Sequence, residues 1–173
     1  MTQTSFILRP AQAADIANLQ RIEDDSFTTA EYRDQKLSRA SMRRLIRTET
    51  AEFIVAERTE RTAKNSADFA TNQPLLGYIL VFYRRGSRKA RIYSLAVHPQ
   101  AQGMGVGKGL MEACYMRALN KNCDSVILEV ASENTRLIKL YEGQGFKKIA
   151  ELPDYYGEGL SGIKMSRALN TPP

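Results

Sequence analysis

Polar and apolar positions along the chain switch several times between a period of two and a period near 3.6, and each switch marks a new element. Ser5–Arg9 reads as a short strand closed by Pro10. Ile16, Leu19 and Ile22 then recur at helical spacing through to Asp25. A second helix starts after Ser38, a good N-cap, with Arg39, Arg43, Arg44 and Arg47 opposite Met42, Leu45 and Ile46. Glu52–Glu57 and Leu75–Tyr83 read as strands. They are joined by residues 58–74, a polar and aperiodic stretch predicted to be a mobile hairpin loop. After a turn at Arg85-Gly86-Ser87, Arg91–Val97 alternates so that Tyr93, Leu95 and Val97 share one face. A helix follows with Val106, Leu110, Ala113 and Cys114 on one stripe. Ser125–Val130 is rich in β-branched residues, and Asn134 caps a helix that reaches Gln144 and is stopped by Gly145. Phe146–Ala150 and Gly162–Met165 complete the set. Seven strands and four helices in this order predict an α+β domain with a mixed, mostly antiparallel sheet. No internal repeat occurs, and residues 1–4 and 170–173 are expected to be loose.

Composition narrows the class. A chain of 173 residues, 43% hydrophobic, fills one domain and is short for two, with an ordered core expected over about residues 5–168. It has no run near the ~18 apolar residues of a membrane span, and its first residues lack a basic segment followed by an apolar one. A cytoplasmic protein with no membrane partner is the expectation. Cys114 reads as a buried structural thiol and Cys123 as an incidental one in a polar connection. With His98 as the single histidine, a loop residue beside Pro99, no metal site can be assembled. A net charge of +6 favours anionic partners, and the arginines of the second helix read as a solvated face. The chain shows no aromatic-rich RNA-binding signature, which argues against nucleic acid.

The most specific segment is Leu95-Ala-Val-His-Pro-Gln-Ala-Gln-Gly-Met-Gly-Val-Gly-Lys-Gly-Leu110, a strand running through a glycine turn into a helix. Gly103, Gly105 and Gly107 remove side chains where backbone N–H groups converge at the positive end of that helix, so the ligand should carry phosphates. A nucleotide P-loop would need glycine at Gln102 and Ser or Thr at Gly109. A dinucleotide fingerprint would need glycine at Lys108 or at Leu110. Both are excluded.

Gln102-x-x-Gly105-x-Gly107 is instead the Gln/Arg-x-x-Gly-x-Gly/Ala signature of the acetyl-CoA turn of GNAT N-acetyltransferases. Tyr93-Ser-Leu-Ala-Val-His-Pro99, Leu128-Glu-Val130, Asn134 and Leu140-Tyr-Glu-Gly-Gln-Gly-Phe146 follow in family order. From Arg9-Pro10 to Met165 the chain resembles that family, and its motif pattern is closest to the ribosomal-protein-alanine acetyltransferases. The resemblance implies the acetyltransferase fold, in which the strand equivalent to Arg91–Val97 carries a bulge and splays from the one equivalent to Ser125–Val130. It implies acetyl-CoA as co-substrate, transfer to a primary amine in a ternary complex, and no metal.

Acetyl transfer needs in-line reactants, removal of an amine proton, oxyanion stabilisation and protonation of the thiolate. Backbone at Leu95, Ala96 and Val97 can pair with the pantetheine amides as an added strand. Gln102, Gly103, Met104, Gly105, Val106, Gly107 and Lys108 form the candidate phosphate turn. Arg136 is a second cation able to reach phosphates. Glu129 is the candidate general base, its basicity expected to rise in a closed cleft, and it matches the family's proposed base. Tyr141 is the candidate acid and matches the family's usual one. Asn134 serves as helix cap, cofactor ligand or both.

Phe27, Tyr155 and Tyr156 are the candidate acceptor-side residues, and Asp154-Tyr155-Tyr156 resembles a family loop on that side. A protein N-terminus is the favoured acceptor. An α-amine of pKa ~8 is neutral in about one molecule in ten at pH 7, against about one in 2500 for a lysine of pKa ~10.4. Small amines are the alternative, supported by Glu23, Asp24 and Asp25 near the acceptor side, and a non-catalytic acyl-CoA-binding module is the third reading. Ala131-Ser132-Glu133 departs from the Arg-containing sequence of the ribosomal-protein-alanine enzymes.

Overall fold

Seven strands pair in the order β1-β2-β3-β4-β5-β7-β6 in the computed structural model, which describes residues 6–27, 36–59 and 75–169. In chain order the elements are β1 (Phe6–Pro10), α1 (Ile16–Ser26), α2 (Arg39–Ile46), β2 (Ala51–Arg58), β3 (Leu75–Tyr83), β4 (Lys89–Val97), α3 (Val106–Asn120), β5 (Ser125–Ala131), α4 (Thr135–Gly143), β6 (Lys147–Leu152) and β7 (Gly162–Ala168). Every neighbouring pair is antiparallel except β4 with β5, which the α3 crossover makes parallel. The α+β expectation holds element for element. The loop predicted over residues 58–74 falls for the most part, at 60–74, outside the described residues, as do the two ends.

Helices cover both faces of the sheet, so central strands bury both sets of side chains. Phe53 and Val55 of β2 and Tyr78 and Leu80 of β3 pack with Ile16, Leu19, Ile22, Met42 and Leu45 under α1 and α2. Ile54, Ala56, Ile79 and Val81 pack on the other face with Val106, Leu110, Met111 and Cys114 of α3. Arg39, Arg43, Arg44 and Arg47 are exposed, as a solvated face requires, and the Ser38 hydroxyl accepts the Ser41 N–H. Cys123 differs from its reading as incidental. It is buried in the α3-side core, because the chain turns inward after α3 with its N–H bonded to the Ala118 carbonyl. Burial pushes both thiols up, Cys114 to about 12, so neither is poised as a nucleophile.

Gly77 sets how closely β3 can approach the turn that precedes α3. A Cβ there would stand 2.7 Å from the Ala96 carbonyl oxygen and 3.2 Å from Val106 Cγ1. The end of β4 and the first turn of α3 therefore depend on a residue without a side chain.

The first strand is tied to α1 by charge. Arg9 donates to both carboxylate oxygens of Asp15, at 2.7 and 3.0 Å, and its Nε lies 2.5 Å from Glu57. Burial pushes the Asp15 carboxyl up, but the Arg9 hydrogen bonds and the Gln12 N–H outweigh it and hold the group below the usual carboxylate range. Its contribution is therefore complete above about pH 4 and is lost as pH falls through the depressed value. We expect Asp15→Asn to cost roughly 1.5–3 kcal/mol at pH 7, as for hydrogen bonds to charged groups. In urea unfolding the deficit should shrink towards pH 3; one that stays constant would mean the carboxylate charge is not the cause.

Candidate active site

The cleft exists because two central strands part. β4 pairs with β5 only at Lys89, Ala90 and Arg91, opposite Ser125, Val126 and Ile127. On its other edge, Leu80 faces Ser94 and Val81 faces Ile92, so Tyr93 is an extra residue that bulges β4. The bulge also breaks the alternation read from the sequence. Leu95 and Val97 pack towards α3, whereas Tyr93 meets Phe82 edge-on at 5.0 Å between centroids, on the α1 and α2 side. Beyond Arg91, the edge of β4 that faces β5 has no strand partner among the described residues, which leaves its backbone groups available to a ligand lying in the gap.

Two joined lobes occupy the gap, of about 830 and 480 Å³, with Phe27, Leu95, Gln102, Asn134 and Tyr141 lining both. The larger lobe brings together Ala96, Val97, Gly103, Gly105, Val106, Gly107 and Lys108, as the motif reading expects. Gly103 and Gly105 have φ of 81° and 79°, the left-handed region that glycine enters without strain. Gly109 donates to the Gly105 carbonyl, so the N–H groups of Val106, Gly107 and Lys108 stand at the helix mouth without an intrahelical acceptor. A Cβ on Gly103 or Gly105 would meet nothing within 4 Å, so these glycines leave open space above the amides.

Met104 stands apart from the other candidates of the turn. The residue is 42% exposed and lines neither lobe, and its N–H is used inside the turn on the Ala101 carbonyl. The Asn134 side chain accepts the Leu137 N–H at 3.1 Å while lining both lobes, so capping does not take it out of the cleft. Arg136 also lines both lobes, and Lys108 is exposed beside Glu112.

In the smaller lobe stand Tyr93, Ser94, Glu129 and Tyr156. Glu129, whose side chain is 7% exposed, sits 2.9 Å from Arg91 Nε and 3.5 Å from Lys164 Nζ. Arg91 reaches on to donate to the Tyr155 hydroxyl at 2.9 Å, and Tyr155 meets Tyr156 edge-on at 5.0 Å. Burial and the Glu129 carboxylate push the Tyr155 phenol up, with Arg91 opposing. The 154–156 loop is thus fastened over the sheet through one chain of contacts. Gly162 admits the loop, since a Cβ there would stand 3.0 Å from the Tyr156 ring. Tyr141 is 6% exposed, packs edge-on against Phe146, and lies where the lobes join. Leu140, expected to turn inward with it, is 54% exposed at the rim of the larger lobe.

Sequence reasoning missed Arg91, Lys164 and Ser94. Lys164 is the direct cross-strand partner of Glu129, a complementary pair visible only once the β5–β7 register is known. The acidic run separates instead of facing the cleft: Glu23 is buried, Asp24 lies 3.7 Å from Lys36, and Asp25 contacts His98 at 3.2 Å. His98 is a loop residue, as expected, but a buried one. Its Nδ1 accepts the Gln100 N–H and its Nε2 meets Asp25, which ties the exit of β4 to the end of α1, where Phe27 enters the cleft. Among the described residues no helix is long and apolar enough to cross a membrane, and no cluster of His, Cys, Asp and Glu could hold a metal ion.

Known proteins share both the sequence pattern and the fold. The model of the acetyltransferase (GNAT) family matches residues 16–146. An N-alpha-acetyltransferase of Sulfurisphaera tokodaii is 34% identical over 84 residues, 47% of this chain and 50% of that protein. The chain spans about half the length of the curated relatives it matches. Over the whole fold, the crystal structure of Ard1 from Thermoplasma volcanium superposes with a TM-score of 0.73 at 28% identity, covering 94% of this chain and 97% of that one. The ribosomal-protein-S18-alanine N-acetyltransferase of Escherichia coli shares the fold at a TM-score of 0.74 and 17% identity, over 98% and 97% of the two chains. A split β4–β5 pair, a glycine turn opening α3 and a family match across most of the chain lead to one conclusion: this protein belongs to the GNAT acetyltransferase family.

Proposed function

We propose that this protein transfers the acetyl group of acetyl-CoA to a primary amine, with a protein or peptide N-terminus as the acceptor. The observation that carries the reading is the two-lobed cleft, with a phosphate-ready turn in one lobe, a carboxylate in the other and a tyrosine where they meet. The N–H groups of Val106, Gly107 and Lys108, with the Lys108 ammonium, would take the diphosphate of the coenzyme. The unpaired edge of β4 at Leu95, Ala96 and Val97 would take its amide-bearing arm, bringing the thioester to Tyr141.

Attack of a neutral amine on the thioester carbonyl forms a tetrahedral intermediate whose nitrogen is cationic and strongly acidic. Glu129, held in the cleft wall by Arg91 and Lys164, takes a proton from this acidified nitrogen, directly or through water. Tyr141 donates its hydroxyl proton to the departing sulfur, and the proton held by Glu129 restores the phenol. The C–N bond forms, the C–S bond breaks, and the products are the amide and the free thiol.

Peptide recognition draws on Tyr156 and Phe27, which line the smaller lobe, on Tyr155, which packs on Tyr156 and accepts from Arg91, and on relatives whose names describe N-terminal acetylation. Glu23, Asp24 and Asp25 engage separate partners, which supports the peptide reading over a cationic small amine.

Tyr141→Phe should lower kcat by roughly a hundredfold or more, within the range for loss of a positioned acid, with little change in acetyl-CoA affinity. Unchanged turnover would remove Tyr141 from that role. Glu129→Gln should lower kcat at every pH at which the acceptor is neutral; a loss confined to the KM of the acceptor would make Glu129 an anchor for Arg91 and Lys164 only. The acceptor class is tested by incubating the protein and acetyl-CoA with a mixed panel of peptides, polyamines and amino acids, reading acetylated products by mass spectrometry. Products on peptide α-amines support the reading, and products on polyamines alone overturn it.

A further inference from the structure

An amine reaches the cleft at neutral pH mainly as its ammonium ion, which must lose one proton before the lone pair can attack. The transfer steps above move a later proton, so this earlier one needs its own acceptor. Behind the smaller lobe lies a carboxylate with no part in those steps. Glu23, on α1, is 1% exposed, and the hydroxyl of fully buried Tyr78 on β3 donates to its Oε1. The Tyr78 oxygen lies 2.9 Å from Ser94 Oγ, and Ser94 lines the lobe beside the bulged Tyr93. With the Tyr78 proton committed to Glu23, Ser94 is the donor of the second bond. A continuous line of exchangeable protons thus runs from the cleft wall to the interior.

Glu23 is an expensive residue for a purely structural role. Among the described residues its Oε2 is buried with no hydrogen-bond partner of good geometry, a cost that an ionised carboxylate feels most. Burial pushes the group up to about 7, against Tyr78, the Leu37 N–H and the Lys36 charge, with Asp24 adding to the rise. Burial and Glu23 push the Tyr78 phenol much further up, so Tyr78 can pass a proton without resting as a phenolate. Tyr93 is the remaining titratable neighbour of Tyr78.

We propose that Ser94, Tyr78 and Glu23 form a relay that takes the first proton from the acceptor ammonium. The ammonium N–H gives its proton to Ser94 Oγ as Ser94 passes its own to Tyr78 and Tyr78 passes its own to Glu23 Oε1. One N–H and two O–H bonds break, three O–H bonds form, and the products are a neutral amine and a carboxylic acid. After product release the proton returns along the same path to solvent, which accounts for the net proton that acetylation of an ammonium releases. Only Ser94 touches the substrate; Tyr78 and Glu23 act through it. The relay rests on the acetyl-transfer reading of the cleft.

Thiol release from acetyl-CoA, followed against pH with a peptide and separately with spermidine as acceptor, tests it on the wild type, Ser94→Ala, Tyr78→Phe and Glu23→Gln. The wild type should show kcat/KM rising through about pH 7. Each variant should lose roughly tenfold to a hundredfold below that pH and approach the wild type at high pH, where the amine arrives neutral. Ser94→Ala leaves the buried pair intact, so wild-type behaviour in that variant overturns the relay even if the other two fold poorly. An infrared titration of the wild type needs no acceptor. A carboxylic-acid band that disappears as pH rises through about 7 and is missing from Glu23→Gln supports the relay, whereas its absence at pH 6 overturns it. Failure of both acceptors in the wild type would count against the acetyl-transfer reading, and the infrared band then decides on Glu23 separately.

Discussion

The parting of β4 from β5 after three paired residues is the constraint on which the rest depends. A parallel pair that continued to the end of β4 would satisfy its own backbone and leave no room between the strands. The bulge at Tyr93 twists β4 away, and the unpaired edge becomes the floor of a cleft with α3 at one end and the 154–156 loop at the other. Gly77 lets β3 follow β4 closely there, and the contact between His98 and Asp25 fixes where the strand exits. A feature that would weaken an ordinary sheet is what makes this one able to hold a ligand.

Two carboxylates flank that cleft in opposite environments. Glu129 lies between Arg91 and Lys164 in the cleft wall, whereas Glu23 is buried behind it on the Tyr78 hydroxyl, its Oε2 without a partner of good geometry among the described residues. In the proposed mechanism the same functional group would serve different protons, one on a nitrogen acidified by bond formation and one on a resting ammonium. Neither environment is visible in the residue type. Both follow from which strand or helix each carboxylate sits on and what the register places opposite it.

The order of all eleven elements was legible because each has a clear period and a boundary signal, such as Ser38 starting α2 and Gly145 ending α4. The bulge was legible only through family resemblance, since one extra residue in a nine-residue strand hardly disturbs its alternation. Met104, Leu140 and Cys123 were misplaced because a local pattern assigns a face of an element without saying what covers it. Glu23 carried a readable signal that its acidic neighbours obscured. It falls seven residues after Ile16 and four after Leu19, on the buried stripe of α1, while Asp24 and Asp25 turn away from it. Arg91, Lys164 and Ser94 needed cross-strand register, which one sequence does not supply.

Titration calorimetry of the purified protein with acetyl-CoA tests the central claim most directly, run beside Gly107→Asp, which places a carboxylate among the amides at the mouth of α3. A Cβ at that position has only an ordinary 3.6 Å contact with Val97, so the fold should tolerate the change. The account predicts saturable one-to-one binding to the wild type and at least about tenfold weaker binding to the variant, from the lost helix-terminus attraction together with charge repulsion. Absence of binding to the wild type, or equal binding to both proteins, would contradict it.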